Sequence, residues 1–271
     1  MTSTYFNPPR PRLFGHRGSA GTHPENTIPA FRAVIEAGLD YLELDVWATR
    51  DGHVVVHHDE TALRLCGVNR PIRDCTLNEL KQMDAGFGFS PDGGKTHPFR
   101  GQGIAVPTLE EVFQACPDAR FNIEIKQTEP AIESLTVETV HRAGREEVVL
   151  LAAEQDEVMD RLRPLTGNMP TSYSRSEVAE FFSWLSKGCR SPYRPCAEAM
   201  QIPETYGDRT LVTPETVAAA HEVGLEVHVW TVNRPEDMKR LLSFGVDGLM
   251  SDFPAILMKT CRHHGGPKRG K

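Results

Sequence analysis

Short apolar, β-branched runs alternate with amphipathic stretches along most of the chain. Runs near 12–15, 40–47, 53–57, 121–125, 147–152, 169–173, 198–202, 225–231 and 246–250 have the length and residue types of strands. Between them, residues 27–37, 108–115, 130–143, 156–165, 175–187, 213–223, 235–243 and 253–262 space their apolar positions as helices do. The helix boundaries carry their own punctuation. Ser174 precedes Arg175-Ser176-Glu177, while Thr213-Pro214-Glu215 and Asn233-Arg234-Pro235-Glu236 set proline in a first turn. Gly38, Gly144, Gly224 and Gly245 follow helix ends, where a left-handed residue closes the last turn. Repeated strand–helix alternation demands a parallel sheet covered by helices. About eight such units favour a closed (β/α)8 TIM barrel. No G-x-G-x-x-G follows the first strand, which removes the main argument for an open dinucleotide-binding sheet.

One segment breaks the alternation. Residues 60–106 are poor in periodic apolar positions and rich in Gly, Pro, Asp and Arg, so they are expected to form a small insertion after the third strand. Residues 188–210, with Pro192, Pro195 and Pro203, read as a second long connection. Both are expected at the catalytic mouth, where a barrel tolerates loop variation. The 271 residues then form one domain, with a polar, glycine-rich tail from about 263 to 271 expected to be flexible.

Two charged residues interrupt the apolar run Tyr41-Leu42-Glu43-Leu44-Asp45-Val46-Trp47. Alternation puts Glu43 and Asp45 on one face of that strand and Leu42, Leu44 and Val46 on the other. Carboxylates so placed need a cation, because burying an isolated charge is strongly unfavourable. Phe121-Asn122-Ile123-Glu124-Ile125-Lys126 repeats the pattern with Glu124 and Lys126 on one face. One lysine cannot neutralise three carboxylates, and hard oxygen ligands suit Mg²⁺ or Ca²⁺.

At the end of the first run, His16-Arg17-Gly18 sits on a Gly-rich turn before a helix start, a setting that suits an oxyanion. A core histidine and a surface ion pair are the plainer roles for the same residues. Asp51-Gly52 makes a tight turn into Val54-Val55-Val56-His57-His58-Asp59, and parity separates His57 from His58 without deciding between them. Trp230, ending Val227-His228-Val229-Trp230, either walls a pocket or packs; His228 shares its face and has no assigned role. Asp252 is expected to cap the last helix.

The net charge of −7 argues against nucleic acid and anionic membrane as partners. The longest apolar runs fall well short of the roughly 18 residues of a membrane span. Met1 to Arg12 holds three prolines and no apolar core, unlike a signal peptide. The six cysteines are scattered, as in reduced cytoplasmic proteins, although Cys189 and Cys196 could bridge or bind metal.

Taken together, Gly15-His16-Arg17-Gly18, Pro24-Glu25-Asn26-Thr27, Glu43-Leu44-Asp45-Val46 and the stretch Thr49 to Asp59 resemble the glycerophosphodiester phosphodiesterase family. Asn122-Ile123-Glu124-Ile125-Lys126, Val229-Trp230-Thr231-Val232-Asn233 and Ser251-Asp252-Phe253-Pro254 also match, so the likeness runs from 13 to about 258. The resemblance implies a TIM barrel with an inserted segment, one divalent cation, and hydrolysis of a small-molecule glycerophosphodiester to glycerol 3-phosphate and an alcohol. It makes Glu43, Asp45 and Glu124 the metal ligands and His16 and His58 the acid–base pair, choosing His58 over His57. It further implies that Arg17 and Lys126 bind phosphate, that Trp230 lines the glycerol side, and that Glu25 and Asn26, in the first loop near the site, are substrate-binding residues of second rank. Two rivals stand beside it. A lysophospholipase D-like barrel acting on lipid diesters would show an apolar rim, against which the net charge and the polar stretch 90–97 weigh. A non-catalytic phosphodiester-binding barrel would have lost part of the residue set, which is complete here.

Overall fold

The structure, a computed structural model, describes residues 3–262; the tail 263–271 lies outside them. Its strands are β1 (Arg12–Gly15), β2 (Tyr41–Ala48), β3 (Val54–Val56), β4 (Arg120–Ile125), β5 (Val149–Ala152), β6 (Ala199–Pro203), β7 (Thr205–Tyr206), β8 (Arg209–Thr210), β9 (Glu226–Trp230) and β10 (Gly248–Ser251). The helices are α1 (Ile28–Glu36), α2 (Leu63–Cys66), α3 (Leu77–Lys81), α4 (Leu109–Ala115), α5 (Glu133–Arg142), α6 (Asp156–Leu162), α7 (Arg175–Ser186), α8 (Pro214–Glu222), α9 (Pro235–Ser243) and α10 (Pro254–Arg262). Seven strands pair in parallel in the order β5-β4-β2-β1-β10-β9-β6, a curled sheet surrounded by helices.

Two of the expected strands behave differently. The run after Asp51-Gly52 becomes β3, which folds back antiparallel on β2 with Val46 opposite Val56, so it adds no parallel strand. The run at 169–173 is reduced to single parallel bridges, Leu151 to Thr171 and Ser172 to Ala199. Pro170 lacks an N–H and offers only its carbonyl, which accepts from Leu151 N, so a ladder cannot continue through it.

The period-two pattern of β2 sorts its side chains. Leu42, Leu44 and Val46 join Phe31, Val34, Val112 and Phe113 in the main core. On the inner face, Tyr5, Phe14, Tyr41 and Met250 form an apolar cluster. Below it, buried Arg12 donates to both carboxylate oxygens of Glu226 at 2.7 Å, and His228 Nε2 lies 3.0 Å from Glu226. The interior is therefore plugged at one end.

Residues 60–106 hold more order than their composition suggests. Leu65, Cys66, Ile72, Cys75, Leu80, Ala85 and Val106 pack a second small core against Trp47 and Val55, through α2 and α3. All six cysteines are unpaired, including Cys189 and Cys196. No described helix is long and apolar enough to cross a membrane.

Candidate active site

The register between β2 and β4 creates the acidic centre. Asp45 pairs with Glu124 and Glu43 with Asn122, so carboxylates from adjacent strands emerge side by side. One oxygen from each of Glu43, Asp45 and Glu124 lies within 4.8 Å of the others. Lys126 Nζ sits 2.7 Å from Glu124 Oε1 and 3.4 Å from Asp45 Oδ1. Asn26 donates from Nδ2 to Asp45 Oδ2 at 2.9 Å, and Arg17 Nε approaches the same oxygen at 3.5 Å.

The turn after β1 is shaped to bring Arg17 there. Arg17 and Asn26 both adopt positive φ, 49° and 56°, uncommon for residues with a Cβ. The strain is held by hydrogen bonds: Arg17 N donates to Glu43 Oε2 at 2.7 Å and Asn26 N to the Arg17 carbonyl at 2.9 Å. Gly18, at φ 83°, presses against α1 so closely that a Cβ would lie 2.8 Å from Ala30.

Both histidines face the same cavity, each with a carboxylate on its Nδ1. His16 Nδ1 lies 2.7 Å from Asp252 Oδ1, and Asn233 Nδ2 holds the other Asp252 oxygen at 2.7 Å. His58 Nδ1 lies 2.7 Å from Asp59 Oδ1. Arg64 grips Asp59 through Nε at 2.7 Å and reaches both oxygens of Glu25, at 2.7 and 2.6 Å. Glu25 in turn meets Arg17 at 3.1 Å. A carboxylate on Nδ1 fixes the tautomer and leaves Nε2 as the working nitrogen.

Charge is unbalanced at the carboxylates. Burial and the neighbouring charge of Asp45 push Glu43 up to about 7. Burial raises Glu124 as well, against the pull of Lys126. Burial opposes the charge on Asp45 too, yet Lys126 and Arg17 outweigh it and lower its pKa. Two half-buried cations thus do not satisfy two buried carboxylates and a half-buried third, and an all-oxygen set short of positive charge fits a hard divalent cation. For His16, burial disfavours the imidazolium, but Asp252 and Glu43 prevail and raise its pKa. Burial likewise opposes Asp59, which Arg64 and His58 nevertheless hold at about 2.

A cavity of about 1170 Å³ gathers His16, Arg17, Glu43, Asp45, His58, Glu124, Lys126 and Trp230 on its walls. Glu25 and Asn26 are not among its lining residues; they stand behind Arg17 and Asp45 and orient them. His57 is fully buried, its Nδ1 2.8 Å from the Asp59 carbonyl, so the cavity receives His58 alone of the two.

The model of the glycerophosphoryl diester phosphodiesterase family matches residues 16–256, a span that holds every one of these side chains. The chain belongs to this family. A glycerophosphodiester phosphodiesterase of Caldanaerobacter subterraneus subsp. tengcongensis is 33% identical over 260 residues, covering 93% of this chain and 98% of the relative. A mouse lysophospholipase D is 28% identical over 272 residues, covering 91% of this chain and 84% of the relative. Among solved structures, the glycerophosphodiester phosphodiesterase of Thermotoga maritima gives a TM-score of 0.65 at 26% identity, covering 92% of this chain and 98% of that one. An Oleispira antarctica phosphodiesterase, solved with the product sn-glycerol-3-phosphate, gives 0.72 at 22% identity, covering 92% and 96%. These neighbours share the TIM-barrel fold.

As a member of the family, the chain is a glycerophosphodiester phosphodiesterase-type hydrolase. Several supporting residues escaped the sequence reading. Asp252 does not cap α10; it accepts from His16, and Ser251 Oγ accepts from Phe253 N instead. Asn233, beside the Pro235 helix start, turns its side chain to Asp252, accepting from Asp252 N at 2.9 Å with Oδ1. Arg64 had no local signal at all, since its partners lie 5 and 39 residues away.

Proposed function

We propose that this family member hydrolyses glycerophosphodiesters to glycerol 3-phosphate and an alcohol, with one divalent cation and a His16/His58 acid–base pair. The observation that carries the reading is convergence. Two imidazoles with carboxylate-held Nδ1 atoms, three close carboxylates and two cationic side chains share one cavity wall.

A cation bound by Glu43, Asp45 and Glu124, Mg²⁺ or Ca²⁺, supplies electrostatic stabilisation for the growing charge on the phosphoryl oxygens. Arg17 and Lys126 both line the cavity and bring two positive charges to the phosphate oxygens. One imidazole Nε2 takes the proton of the attacking oxygen, from water or the neighbouring glycerol hydroxyl. The other protonates the departing alkoxide, and each transfer contributes on the order of 10²–10⁴-fold. Trp230, 40% exposed at the end of β9, offers its ring face to the glycerol carbons.

The bridges through Thr171 and Ser172 stand for the eighth strand and close the sheet into a (β/α)8 barrel, with residues 60–106 as its insertion. Six unpaired cysteines suit a reducing, cytoplasmic setting. Relatives named for glycerophosphodiesters and for lysophospholipids both match the chain, so the reaction class is common ground while the substituent on glycerol depends on the rest of the cavity.

Glycerophosphocholine hydrolysis, followed by choline release, tests the reading. EDTA should abolish it and Mg²⁺ or Ca²⁺ restore it. His16→Ala and His58→Ala should each lose at least about 10²-fold in turnover while melting like the parent. Full activity after exhaustive chelation would remove the metal from the mechanism.

A further inference from the structure

Two amide side chains bound the catalytic cavity on its inner side. Asn122 and Gln201 both line it, and Gln201 Nε2 donates to Asn122 Oδ1 at 2.6 Å. Asn122 stands two residues before Glu124 on β4 and pairs in register with Glu43. Gln201 stands two residues before Pro203 on β6, opposite His228, while Pro203 is opposite Trp230. Alternation keeps each pair on one face, so Asn122 lies one step beneath Glu124 and Gln201 one step beneath the level of the indole. Each step is roughly 7 Å along the strand. The acidic half of the cavity and the half walled by Trp230 thus meet at these two amides.

Their orientation is dictated from the plugged end. Arg12 donates twice to Glu226, and that carboxylate, an acceptor only, takes the Nε2–H of His228 at 3.0 Å. His228 Nδ1 is left to accept from Gln201 Nε2, at 3.3 Å. The same Gln201 nitrogen serves Asn122, which makes Asn122 Oδ1 an acceptor. Gln201 Oε1 and Asn122 Nδ2 remain. Neither has a protein partner among the described residues, and neither is sealed from the cavity that both side chains line. An acceptor beside a donor is complementary to one hydroxyl group, which gives its proton to the first and accepts from the second. An ammonium group matches only the acceptor, and a methyl group matches neither.

We propose that Gln201 and Asn122 recognise the free terminal hydroxyl of the substrate's glycerol, and that Gln201 makes the site specific for it. The inference rests on the diester hydrolysis proposed above. With phosphate at the acidic centre and the glycerol carbons against Trp230, the terminal hydroxyl is the glycerol group farthest from phosphorus and the one that reaches the step below. His228 is then a positioning residue: it touches no substrate and turns the Gln201 amide so that its oxygen faces the cavity.

Substrate analogues test the assignment in the parent enzyme. Choline release is measured with Mg²⁺ or Ca²⁺ from glycerophosphocholine and from hydroxypropyl phosphocholine, which keeps the middle hydroxyl and lacks the terminal one. A third substrate carries the terminal hydroxyl as a methyl ether. An unmatched buried polar group costs about 1–3 kcal/mol, so kcat/KM should fall about 10- to 100-fold for both analogues. Gln201→Met keeps the length of the side chain without its polar atoms, and there the three substrates should agree within about threefold. Equal kcat/KM for glycerophosphocholine and the hydroxypropyl analogue in the parent enzyme overturns the recognition, whatever the variant does. Parent-like discrimination in Gln201→Met overturns the role of Gln201. Failure of the parent enzyme to release choline from any of the three overturns the underlying diester hydrolysis instead.

Discussion

Asp252→Asn isolates the carboxylate that holds His16. The substitution keeps the shape of the side chain and its contact with Asn233, but removes the negative charge 2.7 Å from His16 Nδ1. Hydrogen bonds to charged groups contribute about 1.5–3 kcal/mol and neutral ones about 0.5–1.5, so the imidazolium loses about 1–2 kcal/mol. At about 1.4 kcal/mol per unit, the His16 pKa should fall by roughly one. Asp252 is among the groups that raise that pKa against burial, so the sign is downward. The assay is the pH dependence of kcat for glycerophosphocholine hydrolysis in parent and variant. One limb of the profile should move about one pH unit towards acid, and kcat at its optimum should fall about 5- to 30-fold. Which limb moves identifies the role: the alkaline limb if His16 donates the proton, the acid limb if it accepts it. KM should change little, because Asp252 lies outside the cavity lining. An unmoved profile with both limbs in place, in a variant that melts like the parent, would refute the coupling of Asp252 to His16.

Two further perturbations probe the frame around the site. Arg64→Ala removes the guanidinium that joins Glu25 to Asp59. Because Arg64 is half exposed, stability should change little, while turnover falls about tenfold through disordered His58 and Arg17; a thermal melt beside steady-state kinetics separates the two effects. At the plugged end, burial opposes the charge on Glu226, but His228 and Arg12 hold its pKa at about 2, below the ordinary 4.5. A depressed carboxylate stabilises the fold fully above its unfolded value and loses that contribution as pH falls from about 4.5 towards 2. The loss is at most about 3 kcal/mol at 1.36 kcal/mol per unit. Urea melts from pH 7 to 3 should show Glu226→Gln weaker at neutral pH and less sensitive to acid; parallel curves would contradict the linkage.

Much of the site can be read along the chain because it depends on local periodicity. Alternation alone puts Glu43 and Asp45 together and opposite Leu44, whatever β2 later pairs with. Helix limits are similarly local, since caps and apolar spacing act within a few residues; α9 spans Pro235–Ser243, as its proline and apolar pattern predict. Parity gave no choice between His57 and His58, which the resemblance supplied.

Other features exist only once distant segments meet. The bond between His16 and Asp252 joins residues at opposite ends of the chain, and nothing near Asp252 distinguishes an imidazole partner from a helix cap. β3 reads as another strand of the alternation, yet a tight turn folds it antiparallel onto the stretch of β2 beyond the end of its pairing with β1. The cavity takes part of its wall from α7, β6 and the hairpin, whose individual residues look like ordinary core or loop positions. Residue type and spacing thus specify which chemistry the strands can carry, because alternation is a property of the backbone at each residue. Which carboxylate steadies which histidine, and what else lines the cavity, follow from register and packing across the curled sheet.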